Sequence, residues 1–309
     1  MNKEKLLRNP WMVGLLALLC TALWGSAFPV IKIGYELLKI PSDAIGSQIL
    51  FAGMRFTLAG VLTIILGSVM ERRILVPKRG SWPMVFKLSL MQTVIQYFFF
   101  YVGVAHTTGV KSAIITGTNS LLALLIASLI FRQEKLGAAK IIGCLTGFAG
   151  VVVANLTSGG MDMDMSVMGE GFVLLAAVSY AFSSVFLKRY SRSESPVALS
   201  GWQFVAGGII LMIIGALMGG SPGQFSPASA GILIYLAFLS AVAYSVWGIL
   251  LKYNPVSRVT IYGFANPVIG VLLSALLLGE VSQAFNLKNV VALALVSAGI
   301  FIVNKFNHQ

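Results

Sequence analysis

AGVVVAN at residues 149–155 and AGIFIVN at residues 298–304 decide how this chain is read. Both heptapeptides open on alanine and glycine, close on asparagine, and lie 149 residues apart in a chain of 309. Two more pairs extend the echo. WGSAFPVIK at 24–32 resembles YAFSSVFLK at 180–188, an aromatic leading and a lysine closing, and the acid of FRQEK, Glu134, answers the acid of LLGEV, Glu280. These offsets are 156 and 146 residues, so three landmarks agree to within small differences in loop length. The pattern predicts two copies of one unit, residues 1–157 and 166–305.

Composition says what kind of unit it is. The chain is 57% hydrophobic and 10% charged, whereas a soluble domain carries roughly 25% charged residues. The net charge of +12 comes from 10 acids against 22 bases, and the bases gather in short stretches between apolar runs. That distribution points to a bilayer and its anionic lipids, not to nucleic acid. Cys20 and Cys144 each sit inside an apolar run, with no second thiol or histidine at metal-ligand spacing, and read as core residues. The cationic N-terminus imitates a secretory signal, but the run at 11–33 is too long and lacks a small-residue cleavage site. It reads as an uncleaved first span.

Ten apolar runs approach the roughly 20 residues that a helix needs to cross hydrocarbon. They cover residues 11–33, 48–69, 82–104, 108–131, 138–156, 169–187, 197–218, 230–251, 256–278 and 289–304. The third and fourth are divided only by the polar stretch 106–111. With both termini cytoplasmic, the inner segments hold about 15 lysines and arginines and the outer loops about three, as the positive-inside rule requires. Five spans per copy is odd, so the second copy enters from the opposite side. The expected fold is an all-α integral membrane protein of ten transmembrane helices in two inverted five-helix repeats.

These residues resemble the drug/metabolite transporter superfamily, in the branch built from two EamA domains. The resemblance runs through LWGSAFPVIK (23–32), the Arg55-Phe56 pair, NPVIGVLLSALLLGE (266–280) and the glycine-rich closing helices. It implies a central cavity open alternately to each side of a cell (inner or plasma) membrane. It also implies transport of amino acids, related metabolites or drugs, with export the expected direction. One departure stands out: the first half has Ser120-Leu121 where the second has Asn266-Pro267. The first half is therefore expected to flex differently.

Arg55 is the sharpest single feature, because an arginine inside a span costs about 2.5–3.5 kcal/mol on insertion scales. It reads as a substrate anchor, a gate, or a side chain snorkelling to the outer headgroups. A depth of about two turns favours snorkelling. Its counterpart in the second half is Gln203. Gln92 and Gln96, one turn apart, should face inward, to bond a solute or a neighbouring helix. Part of the run Tyr97 to Tyr101 falls on the opposite face and reads as lipid-facing. Tyr244 with Trp247, and Tyr262 with Asn266, share helix faces. Pro267 removes a backbone bond and can kink its helix. Trp24 and Tyr180, matched by the repeat, and Asn119 complete the candidate cavity; core or interfacial packing is the plain alternative for each. Glu134 and Glu280 read as caps or surface ion pairs at opposite faces. The small-residue spacings Gly143 to Gly147 and Gly215 to Gly219 suit helix contact within the monomer.

A membrane-embedded enzyme would need an acid-base, nucleophile or metal constellation, and two histidines with no deep acid pair offer none. A scaffold would need more extramembrane surface than loops of about 4–15 residues provide. The expectation is a secondary transporter without enzyme activity, cofactor or metal. Its partners would be the bilayer and a small solute, and it would act as a monomer or homodimer.

Overall fold

The computed structural model describes residues 3–107, 109–155, 166–277 and 287–305, and every element among them is helical. A short helix α1 (Lys3–Arg8) precedes α2 (Pro10–Leu38) and α3 (Ile45–Glu71). The next span runs from a 3-10 turn at Arg79–Ser81 through α4 (Trp82–Leu88), a wide π-helical stretch at Ser89–Ile95, and α5 (Gln96–Ala105). Then come α6 (Gly109–Gly117), α7 (Asn119–Leu125) with a π turn at Ile126–Ile130, and α8 (Ala138–Asn155). The second half holds a π turn at Val167–Gly171, α9 (Phe172–Tyr190), α10 (Pro196–Leu217) and α11 (Pro227–Tyr253). It continues through α12 (Val256–Thr260), a 3-10 stretch at Ile261–Phe264, α13 (Ala265–Leu277) and α14 (Leu287–Lys305).

Local chemistry sets the starts of three long helices. Asn9-Pro10, Ser195-Pro196 and Ser226-Pro227 each place a side-chain acceptor before a proline, whose missing N–H would be unpaired in a first turn anyway. At α11 the cap is reciprocal: the Ser229 N–H donates to Ser226 Oγ at 3.2 Å, and the Ser226 N–H to Ser229 Oγ at 2.9 Å.

Among the described residues, six helices are long and apolar enough to cross a membrane: Pro10–Leu38, Ile45–Glu71, Arg79–Ala105, Val167–Tyr190, Pro196–Leu217 and Pro227–Tyr253. The remaining apolar segments are shorter, at Ile114–Ile130, Ala138–Val153 and Val290–Lys305, or interrupted, as α12 and α13 are. Large apolar side chains such as Ile65, Ile213, Phe238 and Phe301 stay exposed on the outside of the bundle, as lipid contact requires.

The helices pack as α3 on α10 and α8 on α14, with α2 against α11 and α13, and α9 against α5 and α7. Glycine makes the first two seams. Gly46, Gly53, Gly60 and Gly67 recur every seven residues on α3, as Gly201, Gly208 and Gly215 do on α10. A Cβ on Gly53 would stand 2.6 Å from the Met212 nitrogen, and one on Gly60 2.6 Å from the Gly201 carbonyl oxygen. The backbones therefore touch where no side chain fits. In the other seam, a Cβ on Gly143 would reach within 2.9 Å of the Gly299 carbonyl oxygen. Gly219, paired with Gly215 in the sequence, is instead a turn residue with φ of 76° after α10.

The connections divide between two ends. At one end, rich in basic residues, the Lys78 N–H donates to Glu194 at 2.9 Å, the Asn254 amide to the Leu7 carbonyl at 2.9 Å, and Lys188 to the Leu251 carbonyl at 3.1 Å. At the other end, the Gln224 N–H donates to the Leu38 carbonyl and the Ser221 N–H to Ser47 Oγ, both at 2.9 Å, and Thr107 bonds Glu170.

Candidate solute-binding site

Ser240, Tyr244 and Trp247 follow one another at helical spacing along one face of α11, and all three are buried. Trp24 on α2 meets this stripe edge-on, its ring 5.1 Å from Tyr244 and 4.9 Å from Trp247. From α5, the Tyr97 hydroxyl hydrogen-bonds that of Tyr244 at 2.7 Å. Phe56 on α3 lies 4.4 Å from the Tyr97 ring, and Phe204 on α10 lies 4.8 Å from Tyr244. Tyr180 on α9 is buried beside the Trp247 indole N–H but outside hydrogen-bonding geometry. Five long helices and α5 thus converge on one aromatic cluster drawn from both halves of the chain.

Arg55 stands at its edge. It lies ten residues after Ile45, about 15 Å along α3, and is only 3% exposed. The helix starts earlier than the apolar run suggests, and the side chain turns into the bundle, not out along the helix to its end. Its Nε and Nη2 donate to Ser240 Oγ at 3.1 and 2.9 Å, and the guanidinium lies 5.1 Å from the Phe56 ring.

Several polar atoms have no protein partner: the indole nitrogens of Trp24 and Trp247 in the cluster, the Tyr35 hydroxyl, and, on α5, α7 and α13, the amide oxygens of Gln96, Asn119 and Asn266. A buried polar atom left unpaired costs about 1–3 kcal/mol. A cluster of them marks a place where water or a solute belongs.

The remaining sequence candidates take different places. Gln92 accepts from the Gln203 amide at 3.1 Å, while Thr93 donates to Gln203 at 2.7 Å, so Gln92 fastens a helix contact and Gln96 does not. Tyr262 leaves the cluster. It lies in the 3-10 stretch, and its hydroxyl packs at Gly14, ten residues or about 15 Å along α2 from Trp24. The shared face expected for Tyr262 and Asn266 assumed an uninterrupted α-helix. Pro267 lies in the first turn of α13, and the bond it cannot donate would go to Gly263, inside the 3-10 stretch. The first half breaks at the matching place without a proline, between α6 and α7 at Thr118. The two breaks touch: Ser120 Oγ donates to the Thr260 carbonyl at 2.5 Å.

Glu134 is no surface pair. Its side chain is 6% exposed, binds Lys140 at 2.8 Å, and accepts the Ser257 N–H at 3.0 Å together with the Ser257 hydroxyl, capping α12. Glu280 lies outside the described residues. A surface crevice of about 640 Å3 at the basic end, between α4 and α9, includes Lys87 and Arg189 and none of the aromatic cluster.

Sequence reasoning passed over Ser240, Tyr35, Phe56 and Phe204, and assigned part of the Tyr97 to Tyr101 run to lipid. Ser240 carried a usable signal, standing one turn before Tyr244 on the same face; the others are aromatic residues among many.

The profile of the EamA-like transporter family matches residues 11–156 and 167–305. An uncharacterized transporter of Archaeoglobus fulgidus is 28% identical, over 95% of this chain and 98% of its own. YedA, an uncharacterized inner membrane transporter of Escherichia coli, is 29% identical, over 84% of this chain and 80% of its own. YvbV, an uncharacterized transporter of Bacillus subtilis, is 26% identical, over 91% and 88%. A solved crystal structure with 19% identity shares the fold, with a TM-score of 0.75 across 97% of this chain and 99% of that one. With most of its length matched and its long apolar helices in place, the chain belongs to the EamA-like transporter family, as a multi-pass membrane protein.

Proposed function

We propose that this protein is a secondary transporter of the cell membrane that moves a small metabolite by alternating access, with both termini cytoplasmic and the site at the aromatic cluster. The observation that carries the reading is the convergence of both halves on buried aromatic rings and polar atoms without partners. Such a place suits a solute better than it suits packing. Ten spans in two inverted five-helix repeats, 1–157 and 166–305, are part of the proposal. Exchanging the halves carries α2 into α9, α3 into α10 and α8 into α14. It turns the α2 contacts with α11 and α13 into the α9 contacts with α5 and α7, as a pseudo-two-fold axis would. Export is carried over from the family resemblance.

The test is a thermal-shift screen of the purified protein against amino acids, nucleosides and cationic drugs. A ligand at 100 times its Kd stabilises by about 2.7 kcal/mol. A hit should move in proteoliposome counterflow, and its shift should vanish in a folded Trp247→Ala or Gln96→Ala variant. Hits insensitive to these residues would displace the site, and stabilising compounds that never exchange would defeat the transport reading. Cysteine labelling at Arg192 and Gln224 should report opposite sides of the membrane.

A further inference from the structure

Two of the other buried or half-buried cations among the described residues are met by an anion or by several carbonyls, whereas the half-buried Arg258 has an unpartnered Nε. Lys140 has Glu134 at 2.8 Å, and Lys188 donates to the carbonyls of Leu251 and Asn254. Arg55 belongs to none of the ion pairs formed among the described residues. Its one polar partner is Ser240, whose hydroxyl donates its own hydrogen to the Leu236 carbonyl at 2.8 Å and so offers Arg55 only a neutral oxygen.

The geometry of that contact decides what is left over. A guanidinium has five N–H groups. Ser240 takes one from Nε and one from Nη2, which is the side edge of the fork. Of the three N–H groups left without a protein acceptor, two form the end edge, one from Nη1 and one from Nη2. Two parallel N–H bonds from such an edge match the two oxygens of a carboxylate.

The surroundings narrow the class. Tyr35, Tyr97 and Tyr244 all lie within the field of Arg55, and the Tyr35 hydroxyl has no partner. The rings of Phe56, Tyr97, Phe204, Tyr244 and Trp24 form a continuous wall with neighbouring centroids 4.4–5.1 Å apart. Trp24 and Trp247 add two unpaired N–H donors further along it. One guanidinium neutralises one negative charge; a phosphate dianion would leave a charge unmatched at this depth.

We propose that the transported solute is a small organic monocarboxylate with a flat or apolar body, and that Arg55 receives its carboxylate. The proposal rests on the transport reading above and names its substrate class.

Matched probes test it on the full-length protein in nanodiscs and proteoliposomes. The pairs are 3-phenylpropionate with 3-phenylpropanamide and indole-3-propionate with its amide; the further probes are phenethylamine, phenylalanine as a zwitterion, and inorganic phosphate. The carboxylates should stabilise and exchange, their amides should bind about 30-fold or more weaker, and a folded Arg55→Gln or Arg55→Lys variant should lose that difference. If neither variant folds, the wild-type preference of carboxylate over amide decides alone. Equal binding of acid and amide overturns the proposal. So does stabilisation by the amine or phosphate in place of the carboxylates, or an acid preference that survives in Arg55→Gln. Those results would leave transport standing. Absence of exchange for every probe and every compound of the wider screen would remove the transport reading, and the proposal with it.

Discussion

The hydroxyls of Tyr97 and Tyr244 meet at 2.7 Å, tying α5 of the first half to α11 of the second inside the aromatic cluster. Removing either hydroxyl should leave the other unpaired and cost about 1–3 kcal/mol. Removing both replaces the bond with apolar contact, so Tyr97→Phe/Tyr244→Phe should be less destabilised than the sum of the single variants. Urea unfolding in detergent, read as a double-mutant cycle, measures this.

Gln92 and Gln96 should separate by readout. Gln92→Ala strands the Gln203 amide and should destabilise the fold by about 1–3 kcal/mol. Gln96→Ala removes an oxygen that has no protein partner and should leave the melting temperature almost unchanged while weakening solute binding. Thermal shifts with and without a stabilising compound distinguish them.

The glycine seams make a steric prediction. Gly60→Val places a side chain where a Cβ already stands 2.6 Å from backbone atoms of α10, and should cost about 3 kcal/mol or more. Gly231→Ala, where a Cβ meets nothing within 4 Å, should be neutral or stabilise by up to about 1 kcal/mol. Melting temperatures of the two variants test the contrast.

Acid should loosen the basic end. Burial works to raise the Glu194 carboxyl, but the N–H groups of Lys78 and Ser195, at 2.9 and 3.0 Å, outweigh it and hold the group below its ordinary value of 4.5. A carboxylate depressed in the folded state adds stability that is present above that ordinary value and lost as pH falls through the folded one. The melting temperature of the wild type should therefore drop more steeply than that of Glu194→Gln once pH falls below 4.5. Parallel curves for the two proteins would count against the assignment.

Glu134→Ala should cost about 3–5 kcal/mol, because it leaves Lys140 buried without its anion and α12 without its cap. Adding Lys140→Ala should recover part of that loss, as thermal unfolding would show.

The all-helical membrane class was legible because apolar length acts over about 20 residues at a time. Trp24, Tyr244 and Trp247 were picked out by period and repeat, and their rings meet in the structure. The place of Arg55 along its helix was misjudged because the helix reaches back to Ile45, through Gly46 and Ser47, which look like a loop by hydropathy. Tyr262 was misplaced because a 3-10 stretch breaks the 3.6-residue register that shared-face reasoning assumes. The burial of Glu134 depends on Ser257, 123 residues away, and no local pattern announces it.

The seven-residue spacing of glycine on α3 has a bearing on how such a protein could diversify. Each notch receives backbone and a side chain of the facing helix, Met212 at Gly53 and Val205 at Gly60, so the seam is fixed by what the glycines lack. Of the residues at the aromatic cluster, Trp24, Tyr97, Tyr244 and Trp247 stand on other helices, while Arg55, Phe56 and Phe204 stand on the seam's own pair. On the proposed reading, replacement of the first four would retune selectivity while the glycine seam stayed as it was.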